Sequence, residues 1–120
     1  MAIRGFLPCF SQYLEGNFPI EKLYNNPDYL VKAKKLVSAL LDTQNPVCLT
    51  KDHGIGKEIQ VIRPDNKKSK WIINQCAFYN SLYRIDYGNI PFRIIFGIVN
   101  DGRRAYIFAF DTEHKTYESH

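Results

Sequence analysis

A chain of 120 residues with 45% apolar content has the length of one ordinary domain and can bury a core without disulfides or metals. The 16 Lys/Arg against 12 Asp/Glu leave a net charge of +4, which favours anionic partners only weakly. No window approaches the roughly 18 consecutive apolar residues of a membrane span. Met1 to Pro8 does not read as a signal peptide. Cys9, Cys48 and Cys76 are too widely spaced for a zinc pair and odd in number, so reduced thiols and a cytoplasmic location are expected.

No repeat, low-complexity run or linker interrupts residues 1–120, and a single domain is expected: helical over 1–45, variable strand and loop over 46–78, a β-meander over 79–110 and a tail over 111–120. Phe6 to Leu14 reads as a short helix after Pro8, stopped by Gly16-Asn17. A second helix begins at Asn26-Pro27-Asp28, where Asn26 suits the N-cap, Pro27 the first turn and Asp28 the positive end of the dipole. Leu30, Ala33, Val37, Leu40 and Leu41 then fall on one stripe, Lys32, Lys35 and Ala39 point away, and Asn45-Pro46 ends the helix.

Between 46 and 78, Val47 to Thr50, Glu58 to Ile62 and Trp71 to Asn74 each read as a short strand. His53-Gly54-Ile55-Gly56-Lys57 is a glycine-containing turn whose spacing matches neither the Walker nor the dinucleotide phosphate loop. Lys67, Lys68 and Lys70 form a small basic cluster, read either as a solvated loop or as an RNA contact.

The meander is the most legible part. Leu82 to Tyr87, Phe92 to Val99 and Arg104 to Phe110 alternate in polarity and are separated by turn signals at Gly88-Asn89 and Asn100-Asp101-Gly102. A two- or four-residue first loop places Arg84 opposite Arg93, and a turn on Asp101-Gly102 places Val99 opposite Arg104 and Arg93 opposite Phe110. One face then carries Tyr83, Ile85, Phe92, Ile94, Phe96, Ile98, Ala105, Ile107 and Ala109, a core face for the second helix. The other carries Leu82, Arg84, Asp86, Arg93, Ile95, Gly97, Val99, Arg104, Tyr106, Phe108 and Phe110.

Two arginines directly opposite one another repel, so something anionic belongs between them. Asp86 on the same face is one candidate, giving an Arg–Asp cluster that holds the sheet together. A bound phosphate is the other, since two guanidinium forks match its geometry. With the phosphate reading, Arg104, Tyr106, Phe108 and Phe110 become an RNA-binding surface, the aromatics by stacking. The tail emerges beside the arginines and carries His114, Lys115 and Tyr117, candidate groups for proton transfer and charge stabilisation in phosphodiester cleavage. No His/Cys/Asp set has metal-ligand spacing, so neither metal nor cofactor is expected; Cys48, Cys76 and Trp71 read as core.

The segments Leu82-Tyr83-Arg84-Ile85-Asp86-Tyr87-Gly88, Pro91-Phe92-Arg93-Ile94-Ile95-Phe96 and Asp101-Gly102-Arg103-Arg104-Ala105, with Phe110, resemble the RelE/ParE toxin superfamily, in particular its phage-derived HigB-like branch. The resemblance covers about the last forty residues well and the helices by type. It implies an α+β fold with N-terminal helices packed on one face of a twisted antiparallel sheet. It also implies a type II toxin with a cognate antitoxin, cleaving mRNA on the ribosome without metal, Arg84 and Arg93 holding the phosphate. Two positions depart from the family pattern: Leu82 stands where a glutamate is usual, and Asp111-Thr112 where lysines follow the last phenylalanine. A gyrase inhibitor of the ParE type and a phage-encoded protein-binding module are the alternatives.

Overall fold

The structure, a computed structural model, describes residues 5–10, 23–63, 79–88 and 90–112. Its long helix, α1 (Pro27–Asp42), starts where the sequence predicts: Asn26 is extended and its side-chain oxygen accepts from the Tyr29 N–H at 3.2 Å. Its buried stripe is Ala33, Leu36, Ala39 and Leu40, with Tyr29, Leu30 and Val37 packed at the margins. Leu41, expected inside, is exposed, and Ala39, expected outside, is buried. The reason is angular. At 100° per residue Leu36 and Leu40 define the centre of the stripe, and Ala39 lies closer to it than Leu41 does.

The segment expected to continue as a helix from Phe6 begins instead with a strand, β1 (Leu7–Phe10). Pro8 lacks an N–H, and among the described strands β1 lies at the edge and pairs with β5 (Arg104–Asp111) alone, where that loss is tolerated. Just before it, the Gly5 and Phe6 N–H groups donate to the Leu41 and Leu40 carbonyls at 2.9 and 2.7 Å. These are orphan acceptors at the end of α1, so a distant piece of chain caps the helix. Arg103 closes the clamp. Its Nε donates to the Gly5 carbonyl at 2.9 Å and its guanidinium lies 4.3 Å from the centre of the Phe6 ring.

Helix α1 ends at Asp42, before the expected Asn45-Pro46; the Thr43 N–H still donates to Ala39, and Asn45 instead caps a 3₁₀ turn, Pro46–Cys48. The strand expected at Val47 to Thr50 is therefore absent, and a five-residue helix, α2 (Leu49–His53), follows. Pro46 accounts for this, since it fits a first helical turn and cannot donate to a ladder. Gly54, at φ +67°, terminates α2 in the left-handed conformation, and Ile55, buried, donates back to the Leu49 carbonyl.

The expected strand Glu58–Ile62 forms as β2, followed by β3 (Ser81–Asp86) and β4 (Arg93–Val99). The five described strands lie in the order β1-β5-β4-β3-β2, antiparallel throughout except for β1, which runs parallel to β5. The fold is α+β, with α1 on one sheet face, as predicted; the parallel edge strand makes the sheet mixed. Tyr83, Ile85, Ile94, Phe96, Ile98, Ala105, Ile107 and Phe110 share a core with Leu36, Leu40 and Phe6. Burying each large member contributes about 1.5–3 kcal/mol. No described helix is long and apolar enough to cross a membrane.

Two registers differ from expectation. Asp86, not Arg84, lies opposite Arg93, because the β3–β4 loop runs from Tyr87 to Phe92 and pairing resumes only after Pro91, which cannot donate. That loop is anchored by aromatic packing: Phe92 stacks on Tyr29 at 4.5 Å and meets Tyr87 at 5.1 Å. The second hairpin keeps the predicted Val99–Arg104 pairing, but its register shifts at Ile95/Phe96, where the β5 partners jump from Ile107 to Ala109. This bulge turns Phe110 into the core and places Asp111 opposite Arg93 and Ala109 opposite Ile95, reversing the faces expected for Ala109 and Phe110.

At Gly5 a Cβ would collide with the Leu40 carbonyl oxygen and lie 2.6 Å from that of Thr43, both backbone atoms. Gly5→Ala is expected to destabilise the protein by about 2 kcal/mol or more through this overpacking, measured by urea denaturation. Burial raises the Tyr87 phenol above its ordinary range, and among the described residues its hydroxyl has no hydrogen-bond partner. A folded-state value above the unfolded one means that stability is held below pH ~10 and lost as pH rises beyond it. Tyr87→Phe should be neutral to stabilising at pH 7 and should show a smaller loss of stability than wild type between pH 9 and 11, in paired denaturation curves.

Candidate functional site

The face of the sheet turned away from α1 holds a row of charges that the strand pairings create. Glu58, Asp86, Arg93 and Asp111 are successive cross-strand neighbours on β2, β3, β4 and β5. In the next row, Gln60 pairs with Arg84, which pairs with Ile95. Asp86 is the centre. Its Oδ2 accepts from Arg84 Nε at 2.8 Å and its Oδ1 from Arg93 Nε at 3.0 Å, so each carboxylate oxygen serves one guanidinium. Arg84 Nη2 also donates to Gln60 Oε1, and Gln60 Nε2 donates to Glu58 Oε1 at 3.1 Å.

The three central side chains are only 12–16% exposed, so water screens their interactions weakly. Of the two arrangements open from the sequence, the one with Asp86 between the arginines is present. The arginines are thus brought together, as neighbours of one carboxylate and not as a directly opposed pair. Asp111 is almost fully buried at 1% exposure and adds a second carboxylate opposite Arg93.

The remaining predicted residues separate into three groups. Arg104 and Tyr106 share this face but lie toward its other end, Tyr106 in the row of Leu82 and Gly97 and Arg104 one row beyond it. Arg104 is fully exposed, and its hydrogen bond to the Tyr106 side chain raises its guanidinium pKa further. Tyr106 also meets Tyr79, with ring centres 5.8 Å apart, and Tyr79 lies over Gly97, where a Cβ would come within 2.7 Å of the ring. Phe110, expected to stack on RNA, is 1% exposed in the helix-side core, so it is unavailable to a base. Leu82, Ile95 and Ala109 are buried on the network's own face, which is therefore no open platform at its centre. Phe108 lies at the bulge by its backbone; its side chain is outside the described residues, as are Lys67, Lys68, Lys70, Trp71, Cys76, His114, Lys115 and Tyr117.

Glu58 and Gln60 were not read from the sequence as part of this site. The signal was present in their two-residue spacing on a strand, but using it required knowing that β2 pairs with β3.

Asp86→Ala is expected to lower stability by about 3 kcal/mol, because it leaves two largely buried cations side by side. A double-mutant cycle between Asp86→Ala and Arg93→Ala in urea denaturation should give a coupling above about 1 kcal/mol. Additive losses would show that the pair contributes nothing. No family model matches the chain, and neither a curated protein nor a solved structure matches it.

Proposed function

We propose that this protein is the toxin of a type II toxin–antitoxin pair, a metal-independent endoribonuclease that acts in the cytoplasm on mRNA held by the ribosome. The reading is supported by the resemblance of the meander to the RelE/ParE superfamily and by an α+β fold of the implied kind. The observation that carries it is the placement of Arg84 and Arg93 on a single carboxylate, beside Asp111 at the end of β5. Asp86 fixes the orientation of two guanidinium groups before any substrate arrives, and preorganised charge is what stabilises an anionic transition state.

In this mechanism the RNA 2′-oxygen attacks the adjacent phosphorus and the 5′-oxygen leaves, giving a 2′,3′-cyclic phosphate. Arg84 and Arg93 balance the charge that gathers on the non-bridging oxygens. One of His114, Lys115 and Tyr117 takes the 2′-hydroxyl proton and another protonates the leaving oxygen. Lys67, Lys68, Lys70, Arg104, Tyr106 and Phe108 are the proposed RNA contacts; Phe110 is not. An approaching phosphate competes with Asp86 for the arginines, and this competition favours a second reading on the same fold. There the network is purely architectural, and the toxin inhibits gyrase or binds another protein.

Induced expression of wild type in bacteria, followed by mapping of mRNA 5′ ends, separates these readings. Arrest of growth with new ends clustered within translated codons is expected. Arg93→Lys, which keeps the charge but not the fork, should reduce the ends by about 100-fold with the fold intact by circular dichroism. Arrest without new ends would establish the non-nuclease reading, and no arrest would remove the toxin assignment.

A further inference from the structure

Away from the arginine network, between α1 and the turn that follows α2, lies a cleft of about 340 Å³ lined by Lys32, Lys35, Gly54, Ile55, Gly56, Lys57 and Tyr87. Its volume is in the range of small-molecule sites. Three of its seven lining residues are lysines and none is acidic. Lys32 and Lys35 are one helical turn apart, a like-charged spacing that weakens a helix by a few tenths of a kcal/mol. Asp28, four residues before Lys32, is positioned in sequence to relieve this, yet none of the three ammonium groups forms an ion pair with a described carboxylate. Three lysines thus line one concavity that has no carboxylate among its lining residues.

The turn is built to leave that concavity open. Gly54 and Gly56 both take positive φ, +67° and +70°. A Cβ on Gly56 would strike the Asp86 carbonyl at 2.8 Å, so the turn can approach β3 only with glycine there. The Lys57 N–H donates to that same carbonyl at 2.8 Å, and the Lys57 stem packs 3.1 Å from the Cβ position of Gly88, which holds the start of the side chain against the β3–β4 loop. The Gly54 and Ile55 amides donate to Thr50 and Leu49. The turn is therefore not a nest of free amides, and recognition falls to the ammonium groups. Tyr87 supplies an apolar wall whose hydroxyl is buried.

We propose that this cleft binds the terminal phosphate of a small phosphate monoester, with Lys32, Lys35 and Lys57 as its ligands. A monoester carries nearly two negative charges at pH 7, whereas each phosphodiester of an RNA strand carries one. Three lysines around a cleft walled by Ile55 and Tyr87 match a dianionic end group, which brings nearly twice the charge per phosphate that a strand does. The site shares no residue with the arginine network, and it stands whether or not the protein is a nuclease.

The test is calorimetric titration of the full chain at low salt with inorganic phosphate, adenosine 5′-monophosphate, adenosine and a single-stranded RNA 12-mer bearing 5′-hydroxyl ends. Phosphate and the monophosphate should bind and adenosine should not. Lys35→Gln and Lys57→Gln should each weaken binding by about tenfold, as loss of a charge-assisted contact does. Both are exposed positions where such a change leaves stability within about 0.5 kcal/mol. Lys34→Gln, on the same helix but outside the cleft, should leave binding unchanged, and affinity should fall below pH ~6 as the monoester loses its second charge. Failure of both phosphate probes to bind would overturn the proposal, as would equal weakening by Lys34→Gln. Tighter binding of the 12-mer through the same lysines would replace the monoester with a phosphodiester strand.

Discussion

The bond pattern at Asp86 is the constraint on which the sheet depends. One carboxylate accepts from the Nε atoms of Arg84 and Arg93, in a register that places Asp86 directly opposite Arg93. A two-residue slip, with Arg84 opposite Arg93, would leave every side chain on the same face. The hydrophobic pattern cannot distinguish those registers, because its period is two. Charge can. In the slipped register two cations meet directly across the strands, while in the observed one each cation adjoins an anion.

The bulge in β5 extends the same logic. Without it, Phe110 would face Arg93 and Asp111 would point into the core beneath α1. With it, the two exchange faces: Phe110 joins Ile94 in the core and a carboxylate comes opposite the arginine. Burial of a phenylalanine and avoidance of a carboxylate in an apolar layer act in the same direction, and together they outweigh the ladder irregularity. The charge row from Glu58 to Asp111 thus crosses four strands as a consequence of packing on the opposite face.

Function is coupled to these choices at both sites. For the arginines, preorganisation and self-neutralisation are the same contact: the carboxylate that aims the guanidinium groups also competes with an incoming phosphate. For the lysine cleft the situation is reversed, since its cations meet no described carboxylate and its geometry is set by glycine backbone and an aromatic wall. The two sites lie on opposite sides of the Asp86–Tyr87 corner, where consecutive residues of an extended chain point to opposite faces.

By itself the sequence determined the α+β class, the Asn26-Pro27 start of α1, strand Glu58–Ile62, the three strands of the meander, the Asp101-Gly102 turn and the presence of Arg84 and Arg93 on one face. Each rests on short-range physics: a cap, a two-residue alternation, a turn that favours glycine. Tertiary structure alone decided what depends on partners distant in the chain. It made Leu7–Phe10 an edge strand where a local reading favours helix, since its carbonyl and amide partners lie on β5 nearly a hundred residues away. It chose between registers that the alternation leaves degenerate, moved Phe110 inward, and assembled Lys32, Lys35 and Lys57 around one cleft from two segments that share no motif. The arginine pair was legible as a pair. Asp86 was legible as one of two anions that could join its members; its place directly opposite Arg93 followed from the loop before Arg93 and its proline, which residue alternation does not encode.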